Sequence, residues 1–311
     1  MLDMVSRFCL SLFVNLLLNQ TEGLQKMKTG GIVVILFLVA FAFAPVKVDA
    51  QGDTPQHIPV RPVLAFSFDH ITSPNIPDDS RSGHLYTIVA QDASGNFTPA
   101  TVPSFTGSGQ ALHLVQGTGG VNEQRIEVDD GVDLGDPLTM TNGFTIMADV
   151  KLTGNDTDPI HERWEVSEKA GSYWGNIRYD VSPPERLRVG GFFAGNGDET
   201  FIGTNPIPLG VWTNVAFVFD PVARLFLTYI NGVLDHAKTR NGTLDNSTSN
   251  NGIDEKLVVG AKHRLGGAGE LLEAFFDGDI DNYRLYNVPL RAAQIAAVAG
   301  TPVKSRRQDT F

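Results

Sequence analysis

The chain has 311 residues, of which 42% are hydrophobic and 19% charged, and its formal net charge is -11. This composition excludes collagen, a long coiled coil and a largely disordered chain. Because nucleic-acid-binding surfaces need clustered lysine and arginine side chains, the acidic balance and the lack of a basic block argue against a nucleic-acid partner.

The first predicted element in chain order is a secretory signal peptide. An uncharged apolar run covers residues 32–44, Met27 and a lysine precede it, and residues 48–50 (VDA) form a small-x-small cleavage pattern. We therefore predict that residues 1–50 are an upstream extension plus a signal peptide, with the start at Met27 and cleavage after residue 50. A retained membrane anchor is the alternative, but the run is shorter than the ~20 apolar residues of a spanning helix.

This prediction makes the mature protein secreted or extracellular, or periplasmic or on the cell surface in a bacterium, without membrane insertion. The only cysteine, Cys9, lies in the removed segment. An exported domain without disulfides must be stabilised by a large core, a metal ion or both. Residues 51–62 form a proline-rich leader, residues 63–299 a single predicted domain, and residues 300–311 a tail that we expect to be unpacked.

Within the domain, short β-type runs alternate with Gly, Asn, Asp and Pro breaks, which is typical of antiparallel strands. Residues 144–152 and 212–219 alternate between an apolar and a polar face. The second run begins with Trp212, which we assign to the core. Asn231-Gly232 between apolar flanks predicts a tight hairpin, and residues 290–299 predict one helix. The fold class is therefore an all-β sandwich of two antiparallel sheets with one short C-terminal helix.

Five segments in the same order resemble the motifs of one known family. They are residues 65–69 (AFSFD), 109–112 (GQAL), 143–146 (GFTI), 212–216 (WTNVA) and 276–281 (FDGDID). In these motifs the chain resembles the laminin-G-like jelly-roll family of the concanavalin A-like lectin/glucanase superfamily. The resemblance implies a concanavalin A-like jelly roll in which the first and last strands are neighbours.

The same resemblance implies a candidate calcium site. Neighbouring first and last strands would bring Asp69, Asp79, Asp279 and Asp281 together, and members of the superfamily often hold a structural or rim calcium. Calcium is bound by six to eight oxygen ligands, many of them carboxylates. The alternative is that Asp281 accepts backbone hydrogen bonds and the others are solvated turn residues.

Aromatic and planar polar residues interleave in the centre of the chain. Sugar rings stack on aromatic side chains, and their hydroxyls need polar partners, so pockets for them combine both types. Sandwich packing with the polar tips at the surface is the alternative for these residues. The candidate ligand-binding residues are Trp164, Tyr173, Trp174, Arg178 and Arg188.

Signatures of catalysis are absent from the sequence. A retaining glycoside hydrolase needs two carboxyls about 5–5.5 Å apart, and the nearest stretch contains Glu162, Glu165 and Glu168. On a regular strand Glu162 and Glu168 share a face while Glu165 lies on the other. The sequence therefore favours an exported non-catalytic module that binds a polysaccharide, a glycoconjugate or an extracellular protein. A polysaccharide hydrolase or lyase of the same superfamily is the alternative.

Overall fold

The structure, a computed structural model, describes most of the chain after residue 59. The described residues are 60–84, 86–92, 94–115, 124–129, 140, 142–153, 163–169, 173–180, 182–193, 197–240, 242–244, 256–266, 269–273 and 275–304. The predicted signal peptide over residues 1–50 and the leader up to residue 59 lie outside them. Residues 59–311 form one compact unit.

The described residues form eighteen strands and one short helix. The strands are β1 (Leu64–Phe66), β2 (Thr87–Asp92), β3 (Gly95–Asn96), β4 (Ala100–Pro103), β5 (Gln110–Leu114), β6 (Arg125–Asp129), β7 (Phe144–Leu152), β8 (Arg163–Lys169), β9 (Tyr173–Asp180), β10 (Ser182–Phe193), β11 (Gly197–Pro206), β12 (Thr213–Asp220), β13 (Leu225–Ile230), β14 (Val233–Thr239), β15 (Leu257–Val259), β16 (Lys262–Gly266), β17 (Gly269–Glu273) and β18 (Gly278–Tyr286), and the helix is α1 (Ala292–Val298). Among the described residues no helix is long and apolar enough to cross a membrane.

The strands form two large antiparallel sheets and a separate hairpin. The first sheet has the order β14-β13-β12-β7-β18-β5-β4, with β1 also paired to β18. The second sheet has the order β11-β10-β9-β8-β15-β6-β2-β3, and β16 pairs with β17. The antiparallel pairing of β1 with β18 confirms that the first and last strands are neighbours.

One apolar cluster joins the two sheets. It contains Ile146 and Phe217 from the first sheet and Ile126, Ile177 and Val189 from the second, all fully buried. Strands β7, β12 and β10 contribute alternate residues to this cluster, as expected when two sheets pack face to face. The all-β sandwich predicted from the sequence is therefore confirmed.

The outer face of the first sheet is covered in part by α1. Leu290 and Ile295 pack against Met147, Ala216 and Tyr229 on that face. The helix is shorter at both ends than the predicted residues 290–299. Its N-terminus is capped by its third residue, Gln294, whose side-chain oxygen accepts a hydrogen bond from the backbone N–H of Arg291 at 2.8 Å.

The predicted hairpin is confirmed, and the assignment of Trp212 to the core is wrong. Asn231 and Gly232 have φ values of 49° and 76°, the positive values that a two-residue hairpin turn requires. In β12, Val215 and Phe217 face the core, and Trp212 is out of phase with them. Trp212 is partly exposed, and its ring packs edge-on against Phe105 with centroids 6.1 Å apart.

An aspartate joins the edge strands of the two sheets. Asp235 on β14 accepts hydrogen bonds from the backbone N–H of Thr204 at 3.1 Å and of Asn205 at 2.8 Å, both on β11. It also accepts one from Thr228 Oγ1 at 2.9 Å on β13. Because unpaired backbone groups of edge strands invite pairing with other chains, this contact both closes one side of the sandwich and satisfies two exposed donors.

Asp281 fixes the loop between β4 and β5 to the outer face of the first sheet. Its carboxylate accepts hydrogen bonds from Ser104 Oγ at 2.7 Å, Phe105 N–H at 3.0 Å and Asn282 N–H at 2.7 Å. Burial raises the pKa of Asp281 to about 6 despite these donors, and the nearby Asp149 carboxylate adds to the rise.

The first residues of the predicted tail are packed on the same face. Asn282 donates from Nδ2 to Asp149 at 2.9 Å and accepts the N–H of Val303 at 2.6 Å. Arg284 donates to the carbonyl of Thr301, and Val303 is buried. The expectation of an unpacked tail is thus wrong for residues 301–303, because the polar side chains of β18 hold them.

Shortening Ile295 to Ala tests the packing of α1. Ile295 is fully buried, so we expect Ile295→Ala to lower the free energy of unfolding by roughly 2–5 kcal/mol. Urea unfolding followed by circular dichroism measures this change. Ala293→Ser, at an exposed position of the same helix, is the control, and equal effects of both substitutions would contradict the packing.

The pH dependence of stability tests the buried carboxyl of Asp281. With a folded-state pKa of about 6 against 3.8 for the ordinary group, the folded chain binds more protons than the unfolded chain between these values. Stability therefore falls as pH rises through this window, by up to ~3 kcal/mol. We expect Asp281→Asn to remove this fall in urea unfolding measured between pH 4 and pH 7.

The loss of hydrogen bonds in Asp281→Asn shifts stability at every pH, so only the slope is diagnostic. Asp129→Asn, which changes an exposed carboxyl of β6, is the control for the loss of one acidic side chain. Parallel curves for the wild type and Asp281→Asn would show that the Asp281 carboxyl does not titrate in this window.

Candidate functional site

The outer face of the second sheet carries a sheltered polar pair. Ile177, Leu187 and Val189 on β9 and β10 belong to the core, so the alternate residues Asn176 and Arg188 lie on the outer face. The two are direct Cα partners. Their exposed fractions are nonetheless only 1% and 7%, so this part of the outer face is enclosed.

Three of the five predicted ligand-binding residues share this face. Trp174 and Arg178 lie two residues on either side of Asn176 along β9, and Arg188 is the partner of Asn176 on β10. Trp174 is itself paired with Gly190, which has no side chain. The register therefore groups an aromatic residue, two arginines and an amide on neighbouring strands.

Trp164 and Tyr173 belong to the opposite face by register. Trp164 is the Cα partner of Ile177, a core residue. Tyr173 lies two residues before Gly175, where an added Cβ would come within 2.8 Å of the Phe217 ring in the core. The structure thus divides the predicted set between two faces, and the parity of residues 173–177 is the sequence signal that indicates this division.

A bulge in β8 changes the interpretation of its glutamates. Glu165 pairs with Asn176 and Glu168 pairs with Trp174, with a shift of register between them. The extra residue, Val166, brings both glutamates to the outer face. The prediction that Glu165 and Glu168 lie on opposite faces is therefore wrong, because it assumed a regular strand. The third glutamate of that stretch, at position 162, lies outside the described residues.

Sequence reasoning missed an ion-paired glutamate on the same face. Glu127 is paired through Val258 to Glu168 across β6, β15 and β8. Its carboxylate lies 2.7 Å from Arg125 Nη2 and 3.0 Å from Lys256 Nζ. Burial alone would raise the pKa of Glu127, but the two cations lower it below its usual value. The alternation of charged and apolar residues over 125–128 is the signal that could have found this group.

Two of the predicted calcium ligands lie near β1 with backbone partners. Asp79 is buried and accepts hydrogen bonds from the N–H of Ser67 at 3.0 Å and from its Oγ at 2.8 Å. Asp69 accepts the N–H of Gln110 at 2.9 Å. Both carboxylates therefore join β1 to neighbouring segments of the chain.

The other two, Asp279 and Asp281, lie on β18. Asp279 is held between His113 Nδ1 at 2.7 Å and Lys151 Nζ at 3.2 Å, and Asp281 holds the loop described above. Over the described part of the chain, no three acidic, histidine or cysteine side chains are grouped so that they could hold a metal ion. Calcium binding stays a prediction.

Comparisons with known structures find the same fold at low sequence identity. The chain is similar to domain 4 of AbnA, a GH43 extracellular arabinanase from Geobacillus stearothermophilus, in complex with arabinotriose, with a TM-score of 0.52 and 20% identity over 77% of this chain and 98% of that chain. It is similar to the binding domain of Paraclostridial Mosquitocidal Protein 1, with a TM-score of 0.52 and 12% identity over 76% of this chain and 51% of that chain.

A third similar structure comes from a study of botulinum neurotoxin type C, whose cell entry depends on interaction with two ganglioside molecules. The TM-score is 0.51, with 13% identity over 76% of this chain and 50% of that chain. The chain thus spans about half the length of both toxin chains. At these identities the likeness is one of fold.

Sequence comparison decides the family. No curated protein matches the chain. A family model described as the concanavalin A-like lectin/glucanases superfamily matches residues 126–296, which is more than half of the chain. This match confirms the resemblance seen in the sequence motifs, and the protein belongs to the concanavalin A-like lectin/glucanase superfamily.

Proposed function

We propose that the protein is an exported, non-catalytic module that binds a polysaccharide or glycoconjugate through the outer face of its second sheet. The observation that carries this proposal is the register that groups Trp174 with Asn176, Arg178 and Arg188 on that face. Export rests on the predicted signal peptide over residues 1–50. An extracellular protein is the alternative ligand for the same face.

The chemistry of this face suits a sugar ring. The indole of a tryptophan is an apolar surface on which the C–H groups of a sugar stack, and the Cα partner of Trp174 is Gly190, which has no side chain. Asparagine and arginine are residue types whose polar groups match sugar hydroxyls. A site of this composition meets both the apolar and the hydroxyl faces of a sugar.

Two of the similar structures support this kind of function. One was solved with arabinotriose, and another comes from a toxin whose cell entry depends on gangliosides. Both ligands contain sugars, which favours a glycan over a protein as the partner of this chain.

Replacing Trp174 tests the proposed face. We expect Trp174→Ala to reduce glycan binding at least tenfold without a large change in stability, because the residue lies on the outer face by register. A glycan array read with and without EDTA identifies the ligand, and titration calorimetry then measures the affinity. Loss of binding in EDTA and its return with added Ca²⁺ is the result that the calcium prediction requires.

Trp164→Ala is the matched control for this experiment. Its register partner Ile177 is a core residue, so we expect this variant to lower stability in urea unfolding, as large-to-small changes in a core do. Wild-type protein that binds no glycan with or without EDTA contradicts the carbohydrate proposal, and unchanged binding by Trp174→Ala contradicts the proposed face.

The bulge in β8 favours one second candidate, a polysaccharide hydrolase or lyase. Glu165 and Glu168 are the Cα partners of Asn176 and Trp174, which lie two residues apart on β9. Two strand residues span about 7 Å along the backbone, and glycoside hydrolases carry their two carboxyl groups about 5 to 9.5 Å apart. Both positions adjoin the row of Trp174, where a glycan would lie.

Release of reducing sugar from a polysaccharide panel distinguishes this candidate from a non-catalytic module. If the protein is a hydrolase, we expect Glu165→Gln and Glu168→Gln each to lower the rate at least 100-fold, since acid–base groups contribute factors of about 10² to 10⁴. Glu185→Gln, on β10 of the same sheet, is the control. Wild-type protein that binds a polysaccharide without cleaving it excludes the hydrolase.

A further inference from the structure

The outer face of the first sheet carries a second aromatic and polar group, apart from the face proposed above. We call it the Trp212 shelf, and it consists of Trp212, Lys151, Asp279 and His113. It is separated from the Trp174 face by the whole thickness of the sandwich, because it lies on the other sheet. No residue of the shelf belongs to the set predicted or proposed to contact a glycan.

Three members of the shelf form one row across three strands. Asp279 on β18 is the Cα partner of His113 on β5 and of Lys151 on β7. The Asp279 side chain is only 3% exposed, whereas those of His113 and Lys151 are 30% and 33% exposed. The carboxylate is therefore sheltered, and the two groups that flank it reach solvent.

Trp212 extends this row by one strand. Thr213 at the start of β12 pairs with Val150, and Gly210 N–H donates to the carbonyl of Leu152 at 2.7 Å. Trp212 therefore lies beside Lys151 on the adjacent strand. Its partly exposed ring is held by the edge-on contact with Phe105, and Phe105 is in turn fixed because its N–H donates to Asp281, as described above.

Asp279 sets the hydrogen-bonding character of both flanking groups. A carboxylate only accepts hydrogen bonds, so His113 Nδ1 carries a proton at 2.7 Å from Asp279 Oδ1. In the neutral imidazole with its proton on Nδ1, Nε2 is an acceptor. Lys151 donates one N–H to Asp279 Oδ2 at 3.2 Å, and two further N–H donors remain on its ammonium group.

The shelf thus presents a donor and an acceptor beside an aromatic ring. Since each sugar hydroxyl both donates and accepts, two hydroxyls of one ring can accept from Lys151 and donate to His113. His113 and Lys151 converge on the two oxygens of the Asp279 carboxylate, so neighbouring hydroxyls of one sugar ring can reach both groups. Trp212 lies at one end, where a ring can stack on it.

We propose that the Trp212 shelf is a second binding site for a neutral saccharide, on the sheet opposite the Trp174 face. It takes one ring of a glycan through stacking on Trp212 and through hydroxyl contacts with Lys151 and His113. Asp279 is a positioning residue that fixes the two polar groups. A protein with both faces occupied holds glycan on two opposite sides.

The chain contains three tryptophans, so indole N–H signals in NMR spectra test the proposal. We assign the signals with Trp212→Phe, Trp174→Phe and Trp164→Phe, and titrate wild-type protein with arabinotriose, cellotetraose, xylotetraose and mannotetraose. The expected result is that at least one probe shifts the Trp212 signal. If no probe shifts it, the proposal is overturned.

The same titration separates this inference from the proposed function. A shift of the Trp174 signal alone overturns the second site and leaves the Trp174 face standing, and a shift of the Trp212 signal alone does the reverse. Shifts of both signals support both sites, and shifts of neither overturn both.

Substitution of Lys151 tests the polar half of the shelf. We expect Lys151→Gln to weaken binding about tenfold when followed at the Trp212 signal, the size of one lost hydrogen bond to a charged group, and to leave the Trp174 signal unaffected. Lys238→Gln, on the exposed edge strand of the same sheet, is the matched control and should change neither affinity. Equal affinities for wild type and Lys151→Gln at the Trp212 signal would overturn the assigned role of Lys151.

Discussion

Packing between the two sheets fixes which residues can reach a ligand. Ile177 and Val189 of the second sheet must face Phe217 and Ile146 of the first, since these side chains fill the space between the sheets. Once they do, alternation along each strand assigns every neighbour to the outer face. The grouping of Trp174, Asn176 and Arg188 follows from this constraint, as does the placing of Trp164 on the core side.

Two sheltered carboxyl groups show how neighbouring side chains set the pKa of a buried acid in this protein. Glu127 lies within contact distance of Arg125 and Lys256, and these cations outweigh the cost of burying its charge. Asp281 has neutral hydrogen-bond donors and a second carboxylate nearby, so burial dominates its pKa. Glu127 therefore suits a polar, partly solvated face. Asp281 instead holds the loop between β4 and β5 on the first sheet.

The architecture could be predicted from the sequence because the fold depends on the alternation of apolar and polar residues along each strand, and this alternation is visible in the sequence. Residues 144–152 were placed as observed, and Asn231-Gly232 marked its hairpin because few other residues accept positive φ at both turn positions. In β8 the sequence did not indicate the bulge, and β11 was not predicted, since it begins with Gly, Asp and Glu, which strands disfavour. Trp212 was misassigned because an aromatic residue can cover an outer face as well as fill a core.

The candidate site was predicted only in part, since it depends on pairing between strands distant in the sequence. Trp174, Arg178 and Arg188 could be named from composition, but their common face follows from register. Glu127 is 41 residues from Glu168 and 131 residues from Val258, its neighbours in the row, and no local pattern connects it to them. The bulge in β8 could not be predicted either, because nothing in the sequence distinguishes the extra residue from its neighbours.

The bulge at Val166 also has an evolutionary consequence. Because side chains along a strand alternate with a period of two, one extra residue in a regular strand would turn the segment on one side of it over. The bulge absorbs that residue, so loss of Val166 would leave Trp164 opposite Ile177, Glu165 opposite Asn176 and Glu168 opposite Trp174. A single-codon deletion at this position would therefore restore a regular strand and keep the other residues of β8 on their present faces.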